Sequence, residues 1–213
     1  QINKVAPSFG MKPDNKIQYT PQNFYFYIVL SHPEMITQIF LPSLSIADGT
    51  IIEGKLGSKN NYLSVEINSY KVKYKNFALN NWYFYAKNKG DKLRIQSDAS
   101  TLYISDSTKI DNLNVVATAI NDSLDLWFGF QNEVSRLNGA SINILTYFGN
   151  APTYEFNFHD SYFYFNDTLW VLNDDNKLIL DKTNLSISNL TANTVGTHKP
   201  ILSINGKSSE SDD

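Results

Sequence analysis

The sequence contains no cysteine among its 213 residues. This absence excludes a disulfide framework, thiolate metal sites and a cysteine nucleophile. Proline and glycine are also scarce, with seven and ten residues respectively. Because both residues interrupt regular structure, their scarcity favours a chain built from long, uninterrupted elements.

Long apolar runs and an excess of basic residues are absent as well. No run reaches the 18 or so apolar residues that a membrane-spanning helix needs. The formal net charge is -3, with a sequence pI near 5.6, so the overall charge favours neither nucleic acid nor an anionic bilayer. No signal peptide is visible, and the chain begins at Gln1 rather than Met, so we expect a piece of a longer protein.

Aromatic residues are abundant, and the apolar residues alternate with polar ones. Thirteen Tyr and thirteen Phe suit a pleated, half-buried surface. The clearest alternation lies between residues 113 and 130, in two runs with a period of two: Leu113, Val115, Ala117 and Ala119, then Leu124, Leu126, Phe128 and Phe130. Asn121-Asp122-Ser123 lies between the runs and predicts a tight turn. The two runs therefore predict an antiparallel hairpin.

The same alternation continues along most of the chain, from residue 44 to residue 204, without an intervening helical pattern. About a dozen strands predict an all-β antiparallel meander. Asp48-Gly49 predicts a further two-residue hairpin turn. Such a sheet can hide its apolar side in a β-sandwich, by closing into a barrel or by curling into a trough.

The N-terminal part of the chain predicts one strand and one short helix. The run from Asn23 to Leu30 is almost continuously apolar, which predicts a strand covered on both faces. Pro33 can begin a helix of about two turns that ends before Pro42, with its apolar residues, Met35, Ile36, Ile39 and Phe40, on one side. Because so short a helix is unstable alone, we expect this side to dock on the sheet.

No group of residues predicts catalysis or metal binding. His32, His159 and His198 lie in unrelated contexts, although a metal site needs convergent ligands. The acidic pair Asp174-Asp175 lacks the spaced pattern and distal Glu of a calcium loop. A glycine-rich phosphate loop and a Gly-x-Ser-x-Gly elbow are both absent. We therefore expect a protein that is not an enzyme and has no cofactor.

The order of several motifs resembles a known family. These motifs are Phe40-Leu41-Pro42, SLSIADGT at 43–50, IEGKL at 52–56, INDSL at 120–124, NDTLW at 166–170, LILD at 178–181, LSISNL at 185–190 and INGK at 204–207. Their succession is similar to that of the TamB translocation and assembly module proteins, which belong to the AsmA-like group of the Gram-negative envelope.

The resemblance implies a U-shaped β-trough (β-taco-like) with an apolar floor. It further implies a non-catalytic, periplasm-spanning scaffold that carries phospholipid between membranes and assists outer-membrane protein assembly. The partners would be phospholipid, an outer-membrane barrel protein and the inner membrane, the last two through regions outside this chain. We expect a lead-in segment at 1–22, a TamB-like sheet domain at 23–207 truncated at both ends, and a polar tail at 208–213.

A trough of this kind would bind acyl chains on the apolar positions of the strands. The candidate residues are Leu63, Val65, Ile67, Phe84, Leu93, Ile95, Leu124, Leu126, Phe128, Ile142 and Ile144. The same positions would also suit a closed core, so both interpretations stay open. A truncated sheet would in addition leave unpaired edges, which predicts edge-to-edge self-association.

A surface carbohydrate-binding or adhesive β-sandwich is the alternative from another class. Tyr83, Tyr85, Tyr103 and Trp127 fall off the main apolar positions. Aromatic side chains exposed on a sheet surface would suit stacking against sugar rings.

Overall fold

The fold is all-β with one short helix. The computed structural model describes residues 22–57, 62–105, 108–131, 139–148, 153–165, 167–181, 184–195 and 201–208. The predicted lead-in at 1–22 and tail at 208–213 therefore lie almost wholly outside the described residues. The elements are β1 (Asn23–Leu30), α1 (Glu34–Phe40), β2 (Leu44–Ile46), β3 (Thr50–Gly57), β4 (Tyr62–Tyr74), β5 (Phe77–Lys89), β6 (Lys92–Tyr103), β7 (Lys109–Ile120), β8 (Ser123–Gln131), β9 (Gly139–Tyr147), β10 (Thr153–Phe165), β11 (Thr168–Leu172), β12 (Lys177–Asp181), β13 (Asn184–Thr194) and β14 (Leu202–Ser208).

All fourteen strands belong to a single antiparallel sheet. From β3 to β10 each strand pairs with its neighbour in sequence, and β1 pairs with β3 at one end. This confirms the predicted all-β meander with one short helix. A β-sandwich needs two sheets, so that alternative is not the arrangement of the described strands.

The predicted central hairpin is confirmed. In β7 and β8, Val115 lies opposite Phe128, and Ala117 lies opposite Leu126. Asn121 and Asp122 in the turn both have positive φ, at 46° and 59°. Two such residues form the turn whose twist matches that of the flanking strands, and Asn and Asp tolerate this conformation.

The predicted hairpin at Asp48-Gly49 is wrong. Strands β2 and β3 do not pair with each other, because both lie along the same neighbour, β4. Asp48-Gly49 instead joins two nearly collinear pieces, and the Asp48 carboxylate accepts a hydrogen bond from the His32 backbone N–H at 2.8 Å. The turn dipeptide therefore interrupts a strand rather than reversing it.

A crease crosses strands β4 to β7 at one level. The ladder of paired residues is interrupted at Tyr70, Asn81, Ser100 and Asn112, which follow one another across the sheet. At this level the spacing of the apolar residues lengthens from two to three, for example from Leu79 to Trp82. Each of these strands has one extra residue at this level, which reverses the alternation of its side chains between the two faces. The three-residue step returns the apolar side chains to the same face.

Asparagine and aspartate side chains make the irregular backbone at the crease and at similar kinks possible. Asn81 and Asn112 have φ of 46° and 51°, and Asp160 and Asn189 mark register shifts in β10 and β13 with φ of 45° and 53°. These two residue types adopt the left-handed region at lower cost than other non-glycine residues. Because each kink bends its strand, the sheet departs from a flat surface.

Strands β11 and β12 form one interrupted strand between β10 and β13. Both pair with β10 on one side and with β13 on the other. Asn176 lies at the break and is 1% exposed. Its amide donates to the Thr191 carbonyl and accepts from the Thr191 N–H, each at 2.8 Å. The side chain thus replaces a ladder partner that the break removes.

Helix α1 and strand β1 are more exposed than their apolar sequences predict. The helix buries Thr37, whereas Met35, Ile36, Ile39 and Phe40 are 59–76% exposed. The prediction that this apolar side docks on the sheet is therefore wrong. Strand β1 lies at the edge, with most of its large side chains exposed, so the prediction that it is covered on both faces is also wrong for the described residues.

Candidate functional site

One side of the sheet, which we call the apolar face, carries all eleven candidate residues. Residues that pair across antiparallel strands point to the same side, so the register assigns each residue to a face. Three parallel rows cross the strands at right angles, and each candidate lies in one of them. The first row contains Leu63, Leu93 and Leu124, the second Val65, Ile95, Leu126 and Ile144, and the third Ile67, Phe84, Phe128 and Ile142.

The second row is apolar without interruption from β1 to β10. Its members, in order of pairing, are Phe26, Gly54, Val65, Ala86, Ile95, Ala117, Leu126, Ile144 and Phe158. The Phe26 ring covers Gly54, where an added Cβ would lie 2.1 Å from the ring. With neighbouring strands about 4.8 Å apart, this row is nearly 40 Å long, and the rows are about 7 Å apart.

The rows also contain residues that are not among the eleven candidates. Ile28 and Ile52 extend the third row into β1 and β3, while Phe156, Leu178 and Ile187 extend the first row to β13. The alternation of Phe156 and Phe158 is visible in the sequence. Which of the two faces these residues occupy is determined only by their pairing with Thr146 and Ile144 of β9.

The apolar face is half-buried rather than sealed. Leu93 is 6% exposed, whereas the other ten candidates retain intermediate exposure. Among the described residues, the buried apolar side chains are four alanines and two leucines. A closed core removes many large side chains from solvent, with each touching many neighbours. The exposure of these side chains is therefore typical of a single-layer sheet, in which the side chains of one face shield only one another from solvent.

Polar side chains interrupt the first row at two positions. Asn88 lies between Leu63 and Leu93, and Thr146 lies between Leu124 and Phe156. Both are buried, with 1% and 2% of their surface exposed, and Asn88 Oδ1 has no hydrogen-bond partner. A buried carbonyl without a partner destabilises the fold, so Asn88 is a costly residue at this position.

Hydroxyl groups border the apolar face near the crease. The Thr50 and Ser69 hydroxyls are 2.7 Å apart and buried, and Trp82 Nε1 donates to Ser97 Oγ at 2.9 Å. Because these groups satisfy one another, they do not need water. Ser97 lies opposite Phe84, so the third row also contains a polar side chain.

The opposite face is polar and holds three of the four aromatic residues of the carbohydrate alternative. Tyr83 and Tyr85 lie among Glu66, Gln96 and Asp98, and burial, followed by the nearby Glu66 carboxylate, raises the pKa of Tyr83. Trp127 lies against Gly129 and donates to Ser141 Oγ at 2.9 Å. Two strands separate Tyr85 from Trp127, so these rings do not form one stacking surface. Tyr103, the fourth aromatic residue of the carbohydrate alternative, is 36% exposed near the β6–β7 turn.

Within the described ranges, no three His, Asp or Glu residues are placed to hold a metal ion. His32 lies next to α1, and His159 lies in β10 opposite Asn143. In the same part of the chain, no helix is long and apolar enough to cross a membrane.

The chain has no match among the proteins with which it was compared. No family model matches it, and neither a curated protein nor a solved structure does.

Proposed function

We propose that this chain binds phospholipid acyl chains on the apolar face, as a non-catalytic segment of a TamB-like scaffold in the cell envelope. In this role it would belong to a periplasm-spanning conduit for lipid transport and outer-membrane protein assembly. The observation that carries the proposal is the set of three apolar rows, half-buried and without a covering layer among the described strands.

The rows match the shape and chemistry of a hydrocarbon chain. An acyl chain lying along the second row would contact apolar side chains of several neighbouring strands at once. Each buried methylene contributes about 0.8 kcal/mol, so a chain of about 16 carbons would gain on the order of 10 kcal/mol before ordering costs. Because successive strands offer similar side chains, this gain changes little as the chain slides along the row.

Site-specific photocrosslinking tests the proposal with a matched pair of positions. Phe84 lies on the apolar face, and its neighbour Tyr85 lies on the opposite face, both half-buried in β5. A benzophenone amino acid at 84 should crosslink to co-purified phospholipid, identified by mass spectrometry, whereas the same group at 85 should not. Equal crosslinking at both positions, or none at 84, would contradict the proposal.

Charged substitutions separate an open face from a closed core. We expect Leu126→Asp with Phe128→Asp to abolish lipid crosslinking from position 84 while circular dichroism still reports a folded sheet. The control is Val116→Asp on the opposite face, where Val116 lies between Gln96 and Trp127. If the double variant unfolded and the Val116→Asp control stayed folded, Leu126 and Phe128 would instead belong to a sealed core.

A further inference from the structure

Helix α1 presents an apolar surface to solvent at one end of the sheet. Met35, Ile39 and Phe40 are 70%, 75% and 76% exposed, and Leu41 just after the helix is 53% exposed. The buried residues beneath are Pro33 and Thr37. Exposed large apolar side chains grouped in this way mark an interaction surface.

The turn between β4 and β5 continues this surface. The Lys75 N–H donates to the Ser43 carbonyl at 3.0 Å, and Tyr74 pairs with Leu44 of β2, so the turn lies beside the segment that follows the helix. Tyr74 and Phe77 flank the turn and are 47% and 52% exposed. We call helix α1 with residues 70–77 the basic end of the sheet.

Three lysines give the basic end its charge. Lys71, Lys73 and Lys75 are exposed, and residues 70–77 contain no carboxylate. None of the three forms an ion pair among the described residues, and Lys75 Nζ lies 5.5 Å from the centre of the Tyr74 ring. The one carboxylate of the helix, Glu34, lies in its first turn, away from the helix end that leads to β2.

We propose that the basic end docks on a bilayer surface that contains anionic phospholipid. The apolar side chains of α1 and of the turn would enter the interface to a depth of about 5–10 Å, as interfacial segments do. Lys75 lies in the turn, and Lys73 lies about 7 Å behind its tip, at the level of the phosphates. Tyr74 and Phe77 suit the boundary between headgroups and hydrocarbon, where aromatic residues concentrate.

The charge of the basic end favours a lipid surface over a second copy of the chain. A symmetric contact between two copies would bring two sets of three lysines together, and the like charges would repel. An anionic leaflet instead attracts each lysine. The docking proposal does not depend on acyl chains binding to the apolar face, which lies on the main body of the sheet.

Vesicle flotation with the whole 213-residue chain tests the docking proposal. The protein should float with vesicles of phosphatidylcholine mixed with phosphatidylglycerol, and binding should weaken with added salt. Combining Lys71→Gln, Lys73→Gln and Lys75→Gln should weaken binding roughly 100-fold, since each lysine contributes about 5-fold near an anionic surface. Ile39→Ser with Phe40→Ser should also release the protein while leaving its circular dichroism unchanged.

The matched control removes three lysines from the opposite end of the sheet, in β5 and β6. Lys87→Gln, Lys89→Gln and Lys92→Gln change the net charge equally at the β5–β6 turn and should leave flotation unchanged. Equal loss in both triple variants would overturn the proposal, as would a lack of binding to anionic vesicles. So would vesicle-independent self-association abolished by Phe40→Ser, because it would identify an interface between copies. Lipid crosslinking at position 84 should persist in the triple variant of the basic end, which separates docking from acyl-chain binding.

Discussion

At the scale of single residues, asparagine and aspartate occupy positions where the backbone needs a positive φ, seven of the nine such non-glycine residues in the described part of the chain. Asn112 has φ of 51° in the middle of β7, and its amide donates to the Gln131 carbonyl at 3.2 Å. The residue is exposed, so its conformation rather than its packing determines which residues fit there.

Substitutions of Asn112 test this role. We expect Asn112→Val to lower the free energy of unfolding by about 1–2 kcal/mol or more, because a β-branched residue is strained at positive φ. Asn112→Gly removes the same side-chain hydrogen bond without this strain and should cost clearly less. Chemical denaturation of the two variants measures the difference, and equal stabilities would show that the backbone conformation at the crease is unimportant.

The Glu155 carboxylate links stability to pH. Lys177 Nζ lies 2.6 Å from Glu155 Oε1 across β10 and β12, and this contact, with the Asn157 amide, lowers the pKa of Glu155. A carboxyl whose pKa is lowered by folding stabilises the protein above its unfolded-state pKa, and that contribution disappears as pH falls through the folded-state value.

We therefore expect Glu155→Gln to destabilise the protein at neutral pH but not in acid. The loss should stay below about 1 kcal/mol, because both side chains are about one-third exposed and solvent screens the pair. Denaturation midpoints across the acid range measure it. The control is Asp125→Asn, because Asp125 is exposed and forms no ion pair among the described residues. If Glu155→Gln lowered the stability equally at all pH values, the lowered pKa of Glu155 would not be the cause.

At the scale of secondary-structure elements, Asn176 holds an interrupted strand in place. Its side chain forms hydrogen bonds with both the N–H and the carbonyl of Thr191. The backbone carbonyl of Asn176 accepts a hydrogen bond from the Phe158 N–H at 3.1 Å. Removing the amide would leave the Thr191 N–H without this acceptor beside a buried position, whereas the Thr191 carbonyl would keep the Asn173 N–H, which donates to it at 3.2 Å.

We expect Asn176→Ala to lower the free energy of unfolding by roughly 1–3 kcal/mol, since one buried group left unpaired costs about that much. Asn68→Ala, which removes an exposed asparagine from β4, should have little effect by the same denaturation measurement. If both variants were equally stable, the break between β11 and β12 would not depend on this side chain.

The sequence predicted the strands well and their interruptions poorly. Strict alternation placed residues such as Leu126 and Ile144 on one face, because a period of two follows directly from the geometry of a strand. The crease was missed because a step of three residues, as from Leu79 to Trp82, resembles noise in one strand and becomes meaningful only when four strands share it. The Asp48-Gly49 dipeptide predicted a hairpin because it favours a turn, although only pairing decides whether the chain reverses.

At the scale of the whole molecule, the distribution of charge matters more than its sum. A net charge of -3 did not favour an anionic bilayer as a partner. Register and exposure nevertheless group Lys71, Lys73 and Lys75 beside an exposed apolar helix. The orientation of that helix could not be predicted, because the same periodicity describes a side that faces the sheet and a side that faces away.

The free edges of the sheet lead to a prediction about assembly. Strand β1 has a described partner on one side only, and its exposed side chains include Tyr27 and Val29. Unpaired strand edges template further pairing, so we expect the chain to self-associate as concentration rises.

Tyr27→Lys with Val29→Lys should suppress this association, because charged side chains protect natural edges. Analytical ultracentrifugation over a range of concentrations measures it. Tyr70 and Asn76 are exposed away from β1. The control Tyr70→Lys with Asn76→Lys should therefore leave self-association unchanged. A protein that stays monomeric at high concentration would contradict the prediction.

The consecutive pairing of β3 to β10 makes this architecture extensible. Because each strand from β4 to β10 is bonded to the strands before and after it in the sequence, inserting or deleting a whole hairpin would leave the remaining pairs intact. Each added hairpin would lengthen the molecule by about 10 Å, and its stability would grow almost linearly, as in an array of stacked repeats. The length of such a molecule is thus set by the number of hairpins in its gene.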